Sequence, residues 1–161
     1  MILSVGYQRY SQDSLVRLFD QLHIDRVVDV RAVPVSRHRG MGRRQLESRL
    51  GSRYEWHGDS LGGRVHGRLG PTESGLDWLL TEVADEPTHT ALMCLEEAPG
   101  DCHRHHLIAV PLIDRGIDIL HVYQDQIVSS YDLAISMTDG SGEYPYFRIE
   151  DWDDILAELA A

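Results

Sequence analysis

The sequence predicts one α/β domain: a mainly parallel, open sheet flanked by helices, three-layered in the Rossmann-like or flavodoxin-like manner. Three observations lead there. Short apolar runs rich in β-branched residues occur at 2–5, 24–30, 90–94 and 117–122, each the length of a strand buried on both faces. Between them, apolar residues recur at spacings of three and four, the mark of a helix packed on one face. The chain of 161 residues suits one domain with a full core, and no repeat or low-complexity linker marks a boundary within it. Strands alternating with helices imply parallel neighbours joined by helical crossovers.

Residues 2–5 start the first strand, and Gly6 ends it. Ser11 or Asp13 caps a helix carrying Leu15, Leu18, Phe19 and Leu22. The second strand holds Val27, Val28 and Val30, and Pro34 stops it. Gly40 and Gly42 loosen the chain ahead of a short helix over 45–50, and 54–56 form a short strand. Residues 58–71 contain five glycines and are expected to be a long open loop. Thr72 opens a helix with Leu76, Leu79, Leu80 and Val83. After the strand at 90–94, Asp101 is expected to cap a helix through Leu107, Ile108 and Val110, interrupted by Pro111 and stopped at Arg115-Gly116. The strand at 117–122 completes the alternation. Residues 124–161 are expected to be an extension packed on the domain, with an extra strand near 144–149 and a final helix bearing Trp152, Ile155, Leu156 and Leu159.

Composition narrows the function classes. No apolar run approaches the ~20 residues that span a bilayer. The opening Met-Ile-Leu-Ser-Val-Gly has no basic region or cleavage site, so it is expected to be strand rather than signal peptide. The expectation is a cytoplasmic protein without membrane association, in which Cys94 and Cys102 stay reduced. Every one of the 15 basic side chains is arginine. Residues 1–70 hold 12 of them against 7 Asp or Glu, a net of +5; residues 71–161 hold 3 against 19, a net of −16. The total of −11 argues against indiscriminate DNA coating, while leaving room for a local cationic face.

In open parallel sheets, ligands sit beyond the carboxyl ends of the strands. The residues there are Arg9 after the first strand, Asp29, Arg31, Ser36 and Arg37 after the second, and Cys94 and Glu96 after the fourth. Cys102, His103 and Arg104 open the next helix, whose free N–H groups and dipole favour an anion. Arg9, Arg31, Ser36, Arg37 and Arg104 are candidate anion ligands; an alternative is that Arg104 pairs with Asp29 or Glu96 as a structural bridge. Cys94 or Cys102 is a candidate nucleophile or ligand, Glu96 or Asp29 an acid–base group, and His103 joins the catalytic set. The two cysteines are seven residues apart with no second close pair, and His103, His105 and His106 cannot all face one ion. The spacing therefore argues against a tightly bound metal, and the sequence leaves the cofactor unknown. The run from Ser36 to Arg44 is a cationic loop suited to a nucleic-acid backbone or simply to solvent. Gly62 and Gly63 suggest a close backbone approach to a ligand or a neighbouring strand.

Gly6 with Arg9, Asp29-Val-Arg31 with Pro34 and Ser36-Arg37, Leu61-Gly-Gly63, Cys94-Leu-Glu96 with Pro99, Cys102-His-Arg104, and His121 occur in this order along the chain. In that combination the chain resembles the domain of unknown function 488 family of bacterial and archaeal proteins, over roughly residues 2–123. Tyr7 stands where the family usually has Ser or Thr. The resemblance implies an α/β fold and marks these positions as important; it brings no reaction with it. The leading expectation is an enzyme acting on a phosphate-bearing substrate, a nucleotide or nucleic acid. The alternatives are a nucleic-acid-binding module without catalysis and a metal- or redox-sensing protein.

Overall fold

A computed structural model of the chain describes residues 1–83 and 87–161. Strand β1 (Ile2–Gly6) leads through Tyr7–Tyr10 into helix α1 (Gln12–Gln21), whose N-cap Ser11 accepts a hydrogen bond from the Ser14 N–H. Strand β2 (Arg26–Asp29) is followed by an irregular arm, helix α2 (Arg43–Leu50) and strand β3 (Tyr54–Trp56). A short helix α3 (Gly58–Leu61) precedes the hairpin β4 (Arg64–Val65) and β5 (Arg68–Leu69). The stretch expected as an open loop is thus a helical turn and a tight hairpin. Its glycines serve the turns: Gly67 and Gly70 have φ of 78° and 89°.

Helix α4 (Glu73–Trp78), capped by the Thr72 hydroxyl, runs on as a wider π-type turn, Leu79–Val83. Strand β6 (Thr90–Cys94) follows. The helix after it starts later than expected. Pro99–Asp101 form a 3₁₀ turn, Cys102 is extended, and a π-type segment Arg104–Ala109 continues as helix α5 (Val110–Ile113). Asp101 therefore does not cap it; His103 occupies the N-cap position without a side-chain capping bond. Strand β7 (Leu120–Tyr123) pairs antiparallel with β8 (Gln126–Ser129), which leads into helix α6 (Ser130–Asp139), and β9 (Phe147–Arg148) precedes helix α7 (Trp152–Ala160).

The sheet has seven strands in the order β3-β2-β6-β1-β7-β8-β9, the first five parallel and the last two an antiparallel extension. Side chains alternate between two buried faces. Leu3, Val5, Val27 and Met93 pack against Leu15, Phe19, Leu22, Leu46 and Trp152. Ile2, Val28, Val30, Leu92 and Cys94 pack against Leu61, Leu76, Leu79, Ile108 and Leu112. Helices on both faces make this a three-layer α/β fold. Residues beyond 123 complete it: β8 and β9 extend the sheet, and buried Trp152 donates from Nε1 to the Leu22 carbonyl at 3.2 Å. No helix among the described residues is long and apolar enough to cross a membrane. For the site, one feature of register matters most. Gly6 stands opposite Cys94, and Asp29 opposite Met93 and Trp56, so the parallel strands end in one level row.

Candidate functional site at the carboxyl edge of the sheet

Cys94 is the last residue of β6, and the chain must turn sharply beyond it without leaving the sheet edge. It does so over Gly6. A Cβ on Gly6 would lie 1.7 Å from the Glu96 carbonyl oxygen and 2.6 Å from Arg104 Nη1, so only glycine permits this crossing. Tyr7 and Gln8 donate their N–H groups to the carbonyls of Cys94 and Leu95, both at 3.0 Å. Arg104 is fully buried and clamps the far side of the turn, donating from Nη1 to Glu96 O at 2.6 Å and from Nη2 to Glu97 O at 2.8 Å. Its Nε has no partner among the described residues.

With its backbone pinned, Glu96 directs its carboxylate back toward the sheet. Oε2 lies 3.1 Å from both Cys94 Sγ and Cys102 Sγ. Each sulfur is also 3.8 Å from His103 Nδ1. The other ring nitrogen, Nε2, stands 3.2 Å from the Val30 carbonyl, which can only accept. Nε2 therefore carries a proton, and the Nδ1 edge of His103 faces the two sulfurs. The electrostatics are coupled. The hydrogen bond shared with Cys94 draws the Cys102 thiol down to about 6, opposed by burial and helped by His103 and Arg104. The same shared bond, with burial, pushes Cys94 upward. Burial acts to raise Glu96, but bonds from the two thiols hold it below the usual carboxylate range. Burial acts to lower His103, and Cys102 outweighs it to raise the imidazole.

Cys94, Glu96 and His103 form the floor of an open cleft of about 270 Å³, lined also by Tyr7, Arg31, Val33, Val35, Gly63 and Arg64, with Cys102 buried beneath it. Val33 and Val35 are 70% and 76% exposed, unusual for valine, and give the cleft an apolar wall. Gly63 was expected at a close approach, and a Cβ there would sit 3.0 Å from the His103 ring; one on Gly62 would meet the Gly58 carbonyl and Ala32 instead. The glycine pair thus brings the β4–β5 hairpin down onto the imidazole.

Several expected roles change. Arg31 and Arg104 were expected to offer their charge to an anion. Arg31 instead holds Asp29 through Nε at 2.8 Å and Nη2 at 2.5 Å, and gives Nη1 to Tyr7 Oη and Met41 O. Arg104 holds backbone carbonyls, so it is not the carboxylate bridge of the alternative reading either. Asp29 is fully buried and also accepts from Tyr54 Oη at 2.5 Å, a scaffold arrangement rather than an accessible acid–base group. Arg9 pairs with Glu97 at 3.3 Å outside the cleft lining. Ser36 Oγ accepts from Tyr7 Oη and from the His38 N–H, while Arg37 is exposed on the arm. Arg31 also borders the cleft, but the cation there that is exposed and without an ion-pair partner among the described residues is Arg64. Sequence reading passed over it, though its place directly after Gly63 was the available signal. His105 and His106 point elsewhere, to His121 Nε2 and the Gly100 carbonyl.

Residues 11–72 match the family model described as domain of unknown function DUF488. The DUF488 match supports the resemblance read from the residues, over the stretch that carries Asp29, Arg31, Ser36, Arg37, Gly62 and Gly63. It ends before Cys94, Cys102 and His103, so the cluster at the cleft floor rests on geometry alone. Neither curated proteins nor solved structures give a significant match.

Proposed function

We propose that the chain is an enzyme acting on a phosphate-bearing substrate held in the cleft, with Cys94, Glu96, Cys102 and His103 as its reactive centre. One observation carries the reading: two thiols, a carboxylate and an oriented imidazole converge within 3.1–3.8 Å beyond the carboxyl ends of parallel strands, with Cys94, Glu96 and His103 lining the cleft and Cys102 just beneath it. Interior packing alone rarely gathers four reactive groups where a ligand can reach them. Arg64 supplies the cation for the anionic group, and Val33, Val35 and Leu95 suit an apolar portion such as a base or alkyl chain. Arg31, at the cleft's edge, fixes Tyr7, and Arg104, one layer behind, fixes the Glu96 turn.

Inorganic phosphate or a nucleoside monophosphate should raise the melting temperature saturably, because any ligand that prefers the native state does so. Arg64→Ala should abolish that rise while shifting the ligand-free melt little, since Arg64 is exposed and has no ion pair among the described residues. No phosphate effect at matched ionic strength, or one indifferent to Arg64, would contradict the reading. A second reading, nucleic-acid binding, has one observation in its favour: Arg39, Arg44 and Arg49 line a separate groove beside α2. Oligonucleotide binding that weakens steeply with salt and depends on Arg44 rather than Arg64 would favour it.

A further inference from the structure

We propose that Cys94, Cys102 and His103 bind a divalent transition-metal ion of the zinc class, with Glu96 as its fourth ligand when no substrate is present. The proposal deepens the reading above and rests on it only for the claim that the ion meets a substrate.

The two Sγ atoms and His103 Nδ1 lie within 4.8 Å of one another, and both S···N separations are 3.8 Å. A tetrahedral zinc, with Zn–S near ~2.3 Å and Zn–N near ~2.0 Å, sets that edge at about 3.6 Å. Closing onto an ion thus takes a few tenths of an ångström. Glu96 Oε2 lies 3.1 Å from both sulfurs but outside the set of donor atoms within 4.8 Å of one another, so it would have to swing toward the imidazole to complete a fourth corner. The imidazole is prepared for the role as metal-bound histidines usually are: its far nitrogen donates to a backbone carbonyl, here Val30, and its near nitrogen faces the two sulfurs.

Charge points the same way. Arg104 is a fully buried cation without an ion pair among the described residues, held only by carbonyls. Two thiolates, one carboxylate and a divalent ion sum to a single negative charge, which Arg104 balances. Thiolate and imidazole donors favour zinc over magnesium or calcium. The spacing argument against a metal fails because the pair is assembled by the fold: β6 delivers one thiol, and the chain returning over Gly6 delivers the other. Cys102 is shielded while Cys94, Glu96 and His103 line the cleft, so the ion's open side would face a bound phosphate, whose oxygen it would polarise as Lewis acid.

The test uses the full chain, purified under reducing conditions, stripped with a chelator and re-equilibrated with Zn²⁺ or Co²⁺. Elemental analysis should find about one zinc per chain, as a single tetrahedral site requires. The cobalt form should show thiolate-to-metal charge-transfer bands and the intense visible bands of tetrahedral cobalt. Cys102→Ser should weaken binding by at least the roughly 10- to 100-fold that loss of a supporting group costs. Should that buried variant fail to fold, the wild-type cobalt spectrum decides alone. His106→Ala, whose ring reaches Gly100 instead, should leave the stoichiometry unchanged. Folded protein with two free thiols that takes up no zinc, or a cobalt spectrum lacking thiolate bands, overturns the proposal. If zinc is absent but phosphate still acts through Arg64, only the metal falls. If zinc binds and phosphate does nothing, the substrate reading falls and the metal stands.

Discussion

Asp29 and Arg31 are 0% and 6% exposed at their side chains, and their 2.5 Å contact joins β2 to Tyr7, Met41 and Tyr54. The guanidinium and the Tyr54 hydroxyl both bond to this buried carboxylate; burial raises the Tyr54 phenol, and its hydrogen bond to Asp29 raises it further. Arg31→Met should therefore cost about 3–5 kcal/mol by leaving the carboxylate unpaired. Adding Asp29→Asn should restore much of that in urea denaturation. A loss under about 1 kcal/mol would mean the arginine serves a ligand after all. At this scale the sequence was partly legible. The rule that parallel sheets bind ligands beyond their carboxyl ends selected Cys94, Glu96 and His103, which do share the cleft floor. It could not tell an arginine with free donors from one whose donors are spent within the protein, because that depends on partners contributed by Tyr7 and Met41 from distant segments.

Between β1, β7 and the π-type segment runs a buried polar chain: Ser4 Oγ to His121 Nδ1 at 2.5 Å, then His121 Nε2 to His105 Nδ1 at 3.0 Å. Burial first, then neighbouring His106 and Arg104, lowers His105 to about 4; burial first, then His105 and Arg104, also lowers His121 well below its ordinary value. Both rings stay neutral in the fold while the unfolded chain takes up protons near pH 6.5. Their contribution to stability is present above that pH and is lost as pH falls toward 4, by up to about 1.4 kcal/mol per pH unit for each ring. The His121 ring resonances should accordingly fail to titrate between pH 7 and 5; ordinary titration near 6.5 would contradict the account. Elements with clear periodicity, such as α1, were legible from spacing. Helix α6 was not, because Leu133, Ile135 and Met137 alternate as a strand would, and two of the three are about half exposed. The hairpin at 64–69 was hidden by two-residue strands too short to show a pattern.

Across the whole molecule, the cationic N-terminal portion and the acidic remainder meet at the sheet edge, where Arg64 from the first faces Glu96 from the second across the cleft. In the proposed role, Arg64, without an ion pair among the described residues, attracts the anion on a molecule of net charge −11, which favours a small ligand over a long polyanion. The competing surface is the arginine groove beside α2, in a separate part of the fold. Chemical-shift mapping separates the two most directly. Titrating ¹⁵N-labelled protein with a nucleoside monophosphate should shift the amides of Gly63, Arg64, Leu95, Glu96 and His103 together, along one saturable curve. Shifts confined to Arg39, Arg44 and Arg49, or none at all, would contradict the claim that the carboxyl edge of the sheet is the working site.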